Sequence, residues 1–146
     1  MTVLVWDGKS FAADKQSTVG GQRNKVTKIF RLHDGIVGLM GDGPHARALL
    51  NWFKTARADG EFPAKPADSE YGASAVMVTN DREIRVYSTT PHYEVIEDVR
   101  GAWGCGRDYA LAAMHLGCDA QRAVEVAIEL DLFCGVGIDV LTLEDA

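Results

Sequence analysis

Short apolar runs separated by turn residues dominate the first part of the chain. Val3-Leu4-Val5-Trp6 and Phe11-Ala12-Ala13 flank Asp7-Gly8, a pair suited to a tight hairpin because both central residues of such a turn need φ > 0. The pattern predicts a first strand that begins at Thr2 and a second that ends at Asp14. A two-residue turn would set Trp6 opposite Lys9 and carry Thr2 back to Ala13 and Asp14. Residues 15–24 are polar around Gly20-Gly21 and read as a loop. Residues 25–32 and 35–40 read as a second hairpin about His33-Asp34-Gly35. Gly41-Asp42-Gly43-Pro44 stops that strand, and Pro44, suited to a first helical position, opens a helix with Ala46, Leu49, Leu50 and Phe53 on one face, running to about residue 58.

Gly60, Pro63, Pro66 and Gly72 make residues 59–72 an expected loop. Strands are expected at 73–78 and 83–88 about Asn80-Asp81, then at 93–97 and 102–103. Two helices follow. Residues 107–116 are apolar at Ala110, Leu111 and Met114, and residues 120–130, with Asp119 as N-cap, are apolar at Ala123, Val124, Ala127 and Ile128. Residues 137–143 close the pattern as a strand ending in Glu144-Asp145. Strands, helix, strands, two helices and a strand exclude a doubly wound parallel sheet and fit an α+β chain of two antiparallel sheets with helices outside. No repeat and no internal boundary interrupts residues 1–146, so one domain is expected.

Composition narrows the partners more than the fold. A net charge of −6 and a pI near 5.1 leave no basic stripe to neutralise phosphates, which argues against nucleic acid. No apolar run is long enough for a membrane span and no basic n-region precedes one, so the mature start is expected at the encoded start, less methionine at most, in a cytoplasmic setting. Cys105, Cys118 and Cys134 form no C-x-x-C pair and have no histidine at ligand spacing, so neither zinc nor a disulfide framework is suggested.

The candidate chemistry lies at the open end of the first hairpin. Once Met1 is removed, Thr2 would carry a hydroxyl nucleophile and an α-amine whose pKa of roughly 8 suits a general base. Threonine is inert without such activation. A neighbouring lysine would lower the pKa of both groups, and an aspartate would keep that lysine charged and oriented. Asp14 and Lys28 are the candidates, with Lys25 a rival for the lysine. Gly41, where a strand runs into a helix, leaves backbone N–H groups able to meet an oxyanion. Cys105 reads as a small buried residue. His33, His45, His92 and His115 share no spacing and read as structural or surface residues.

Thr2, Ala13-Asp14, Lys28-Ile29-Phe30-Arg31-Leu32 and Gly38-Leu39-Met40-Gly41 together resemble the N-terminal half of a proteasome β subunit. Gly104-Cys105-Gly106-Arg107-Asp108-Tyr109-Ala110 and Asp131-Leu132-Phe133-Cys134-Gly135 fall where that family has a Gly-Ser-Gly turn opening a helix and an Asp-x-x-Ser-Gly motif. The resemblance covers nearly the whole chain. It extends to the bacterial HslV-type peptidase, and further to the short HslV-like proteins of phages and some bacteria.

The resemblance implies a four-layer αββα sandwich of the N-terminal-nucleophile hydrolases and a threonine peptidase needing no cofactor. Its site residues would be Thr2, Asp14, Lys28, Gly41, Cys105 and Asp131, with Thr18 and Met40 contacting substrate. Lys28 rather than Lys25 keeps the family's spacing to Leu32, Gly38 and Gly41. The implied partners are peptide or unfolded protein, further copies of the chain in a closed ring, and an ATP-dependent unfoldase. Cysteine at 105 and 134 departs from the family's serine and weakens the proton relay, because a thiol is a poorer donor and acceptor than a hydroxyl. An inactive ring protein of the same fold, and an amidase acting on a small amide, are the alternatives.

Overall fold

A computed structural model describes residues 1–55 and 61–143. The chain divides into two compact units, Met1–Phe30 with Asp98–Ala146, and Arg31–Glu97.

In the first unit, β1 (Val3–Trp6) and β2 (Ser10–Asp14) pair antiparallel at the centre of a sheet ordered β10-β1-β2-β11, with β10 at Gly101–Gly104 and β11 at Ile138–Thr142. All four residues of β1 are buried, as expected for a central strand covered on both faces. Trp6 stands opposite Phe11, not Lys9. Three residues, Asp7, Gly8 and Lys9, separate the strands, because the Asp7 carboxylate accepts from the N–H groups of Lys9 (2.9 Å) and Ser10 (2.8 Å) and builds a wider turn around its own side chain. The register moves by two residues, which keeps every side chain on its expected face.

Two helices, α2 (Arg107–His115) and α3 (Ala120–Leu130), cover β1 and β2. Their small residues Ala110, Ala113, Ala123 and Ala127 pack with Met114 and Val124 on Val3, Val5 and Ala12. Asp119 caps α3, accepting from the Arg122 N–H at 2.8 Å, as the sequence predicts.

Residues 15–24 are not a loop. β3 (Gln16–Val19) and β4 (Gln22–Lys25) form a two-stranded ribbon, turning at Gly20 (φ +57°) and Gly21 (φ +78°), where only glycine enters this backbone region freely. Nor is 25–32 continuous. The strand ends at Lys25, where a bond from Val26 N–H to the Lys15 carbonyl (2.8 Å) adds one more rung to the ribbon, and resumes as β5 (Ile29–Leu32), with Lys28 buried just before it.

In the second unit, β6 (Gly35–Gly41), β7 (Ala73–Thr79), β8 (Ile84–Tyr87) and β9 (Glu94–Ile96) continue from β5 in the sheet order β5-β6-β7-β8-β9. Helix α1 (Gly43–Thr55) packs on β6 and β7. Asp42 is its N-cap, accepting from the His45 N–H at 2.9 Å. The expected continuation to 58 lies outside the described residues, as do 59–60 of the expected loop and Glu144-Asp145 at the end of the last strand. His45 is structural: its Nδ1 accepts from the Ala73 N–H at 2.8 Å and its Nε2 meets the Pro63 carbonyl at 3.3 Å. Trp52, Phe53 and Tyr87 meet edge to face in the core of this unit. Among the described residues no helix is long and apolar enough to cross a membrane.

Candidate active site

The first unit gathers Thr2, Asp14, Lys28, Cys105 and Asp131 from five segments. Asp14 ends β2 and is fully buried. Such a carboxylate must be compensated to remain charged. Lys28 Nζ donates to Asp14 Oδ1 at 2.8 Å, and the N–H groups of Val3 (3.1 Å), Gln16 (3.2 Å) and Gly135 (3.1 Å) also bond the carboxylate. The ion pair therefore fixes the residue next to Thr2, the start of β3 and the loop after α3 on one anion. Lys25 is exposed on β4 and takes no part.

Thr2 is buried, 4 % exposed. Its carbonyl accepts from the Gly106 N–H at 3.3 Å and the Cys105 thiol at 3.5 Å. Gly104, at φ +96°, lies so close that a Cβ there would come within 2.1 Å of the Thr2 carbonyl oxygen. Lys28 Nζ also donates to the Met1 carbonyl at 2.9 Å. With Met1 attached, the Thr2 nitrogen is a peptide amide without basicity, and the lysine is occupied by the carbonyl of the bond that would have to be cut.

Cys105 is exposed, not buried as expected, because it sits in the turn from β10 to α2, and its Sγ lies 3.8 Å from that of buried Cys134. A hydrogen bond from Cys134 holds the Cys105 thiol down at about 7, while that bond and burial beside Asp14 push Cys134 up. Cys105 is the one that ionises. Asp131 follows α3, half-buried, with its Oδ1 accepting from the Phe133 N–H at 2.8 Å. One ligand atom from each of Cys105, Asp131 and Cys134 lies within 4.8 Å of the others. The sequence offered no sign of that triangle, since its members are not at a metal-binding spacing.

Gln16 is a residue the sequence reading passed over. It is buried, and its Nε2 donates to Thr18 Oγ1 (3.0 Å) and to the Leu132 carbonyl (3.3 Å), tying the ribbon to the loop after α3. Its Oε1 has no partner among the described residues and faces Gly135, where a Cβ would approach to 2.9 Å. A polar residue at the head of a ribbon looks like an exposed strand residue, so only the tertiary contact identifies it. Met40 and Gly41 close β6 in the second unit, Met40 half-buried and Gly41 exposed at φ +98°.

No family model matches this chain. Proteasome subunit beta 1 of Thermococcus gammatolerans is 27 % identical, over 97 % of this chain and 86 % of its own. Among solved structures, Thiobacillus denitrificans BPH in complex with epoxomicin superposes with a TM-score of 0.70 at 20 % identity, over 99 % of this chain and 100 % of that one. The eukaryotic HslV of Trypanosoma brucei follows at 0.68 and 22 %, covering 99 % of both chains. These likenesses show an α+β, proteasome-like fold.

Proposed function

Because this chain belongs to the family of proteasome β and HslV-like N-terminal-nucleophile hydrolases, whose members are generally threonine peptidases, we propose that it hydrolyses peptide bonds with Thr2 once Met1 is removed. The observation that carries this reading is the buried Lys28–Asp14 pair, which reaches residue 2 from both sides: Lys28 through the Met1 carbonyl and Asp14 through the Val3 N–H. Cleavage after Met1 takes away one acceptor of Lys28 and turns an amide into a free amine. The lysine then keeps the site positive and lowers the pKa of the Thr2 hydroxyl, whose proton passes to the Thr2 amine as the oxygen attacks the scissile carbonyl. The resulting ester on Thr2 is hydrolysed by water. Asp131 and Cys105 orient the amine, and Thr18 on β3 aligns substrate as an added strand. The four-layer αββα order, a cytoplasmic homo-oligomeric ring and an unfoldase partner implied by the resemblance belong to the same proposal.

Thr2→Ala and Lys28→Ala should each remove nearly all turnover of a fluorogenic peptide while the far-UV spectrum is kept, and Lys25→Ala should do little. A peptide epoxyketone should attach to Thr2, since BPH of similar fold is found in complex with epoxomicin. Attachment elsewhere, or full activity in Thr2→Ala, overturns the reading. A second reading, an inactive ring protein, is favoured by cysteine at the two positions where the family has serine. Mass spectrometry of the N-terminus separates the two, because retained Met1 leaves no base on Thr2. Small-amide substrates tried beside peptides separate the amidase alternative.

A further inference from the structure

We infer that Cys105, Cys134 and Asp131 form a binding site for one thiophilic divalent cation of the zinc class. Two thiolates bound at about 2.3 Å on a tetrahedral ion stand about 3.8 Å apart, and the two sulfurs are 3.8 Å apart in the unliganded chain. They are thus already at the edge length of the coordination polyhedron. The Asp131 carboxylate adds a third ligand atom within 4.8 Å of both sulfurs. Two sulfurs and one carboxylate oxygen suit zinc and its thiophilic neighbours, and not magnesium or calcium, which take oxygen.

The ligands are held before any ion arrives. Asp131 N–H bonds the Ala127 carbonyl at the end of α3, Phe133 N–H bonds Asp131 Oδ1, and Cys134 N–H bonds the Asp131 carbonyl, so the 131–134 turn is built on its own hydrogen bonds. Cys105 comes from a separate turn, brought close by Gly106, where a Cβ would stand 3.0 Å from Cys134 Sγ. Cys134 is buried and Cys105 exposed, so an ion would enter on the Cys105 side and release the thiol protons as it binds. Three protein ligands leave a fourth position open. Cys105 Sγ is 3.5 Å from the Thr2 carbonyl, so the ion would lie beside residue 2 and occupy the side chains proposed to orient its amine. The consequence, reversible inhibition of the processed chain by zinc, rests on the peptidase reading, but the binding itself does not.

The test uses the full chain under a non-thiol reductant, stripped of metal and titrated with Co²⁺. The expected result is a sulfur-to-cobalt charge-transfer absorption that saturates at one ion per chain and is bleached by Zn²⁺. Cys105→Ser or Cys134→Ser should weaken Co²⁺ binding at least about tenfold, and Cys118→Ser should leave it unchanged, with far-UV dichroism reporting the fold of each variant. In the unaltered chain, Zn²⁺ should shield Cys105 from alkylation while Cys118 stays as reactive as before, a measurement that needs no variant to fold. Absence of the absorption, its persistence in both serine variants, its loss in Cys118→Ser, or absence of shielding would each overturn the site. None of these readouts depends on peptide hydrolysis, so failure of the metal site and failure of the peptidase reading are distinguishable.

Discussion

Gly104 decides whether residue 2 can occupy its place. Its φ of +96° lies in the region costly for any residue with a Cβ, and the added methyl of an alanine would meet the Thr2 carbonyl oxygen at 2.1 Å. Backbone strain of roughly 1–3 kcal/mol and the backbone collision act together, so Gly104→Ala should lose about 3 kcal/mol or more in urea unfolding. A loss within the range of an ordinary surface substitution would mean that the contact relaxes freely. At the next residue, the hydrogen bond from Cys134 favours the Cys105 thiolate and holds its pKa at about 7. Only the thiolate reacts with iodoacetamide. In chelator, the alkylation rate of Cys105 should therefore rise with pH through a midpoint near that value, with Cys134 inert in the folded chain. Cys134→Ala removes the donor and should move the midpoint upward, and an unchanged midpoint would assign the shift to another cause.

Among the elements, the β1–β2 connection carries more than a turn. Asp7 Oδ1 holds the Lys9 and Ser10 N–H groups, and Oδ2 accepts from the Ala120 N–H at 2.8 Å, the first residue of α3. One carboxylate thus closes the hairpin and satisfies a donor at a helix start, where unpaired N–H groups accumulate. Asp119 caps the same helix through one bond, to Arg122. Asp119→Ala should cost about 1 kcal/mol, and Asp7→Ala, which loses three bonds, about 2–3 kcal/mol, both read from chemical denaturation midpoints. Equal losses would mean that Asp7 acts on the turn alone. The wider turn also explains the register: Asp-Gly identifies a hairpin, but the side-chain bonds of Asp7 select its length. The β3–β4 ribbon escaped the pattern for another reason. β4 is exposed at every position, so no face of it is marked by apolar residues, and what holds the ribbon is backbone pairing, two glycines and the tertiary bonds of Gln16 on β3.

For the whole molecule, the proposed ring requires a heterologous contact that closes on itself. Light scattering should give a mass that is an integer multiple of 15.9 kDa and independent of dilution over a wide range. A single-chain mass throughout would remove the ring from the proposal. The exposed Leu132 and Phe133 and the φ of +68° at β-branched Val136 fall in the same loop that bonds Asp14 through Gly135. A strained residue held near a buried anion is the kind of feature that accompanies functional loops.

The sequence by itself determined the elements outside the β3–β4 ribbon, and the polar ends of the first hairpin, because alternation, turn residues and caps act over a few neighbouring positions. It also separated Lys28 from Lys25, but only through the family's spacing; the physical difference, one buried on Asp14 and the other exposed, is tertiary. Only the folded chain decided which distant groups meet. The Gly135 N–H reaches Asp14 across 121 positions and Cys105 reaches Cys134 across 29, contacts that arise when α2 and α3 bury their alanine faces on β1 and β2. No local period encodes such distances. They follow from burying apolar surface on both faces of a sheet, with glycine wherever two backbones must approach more closely than a Cβ allows.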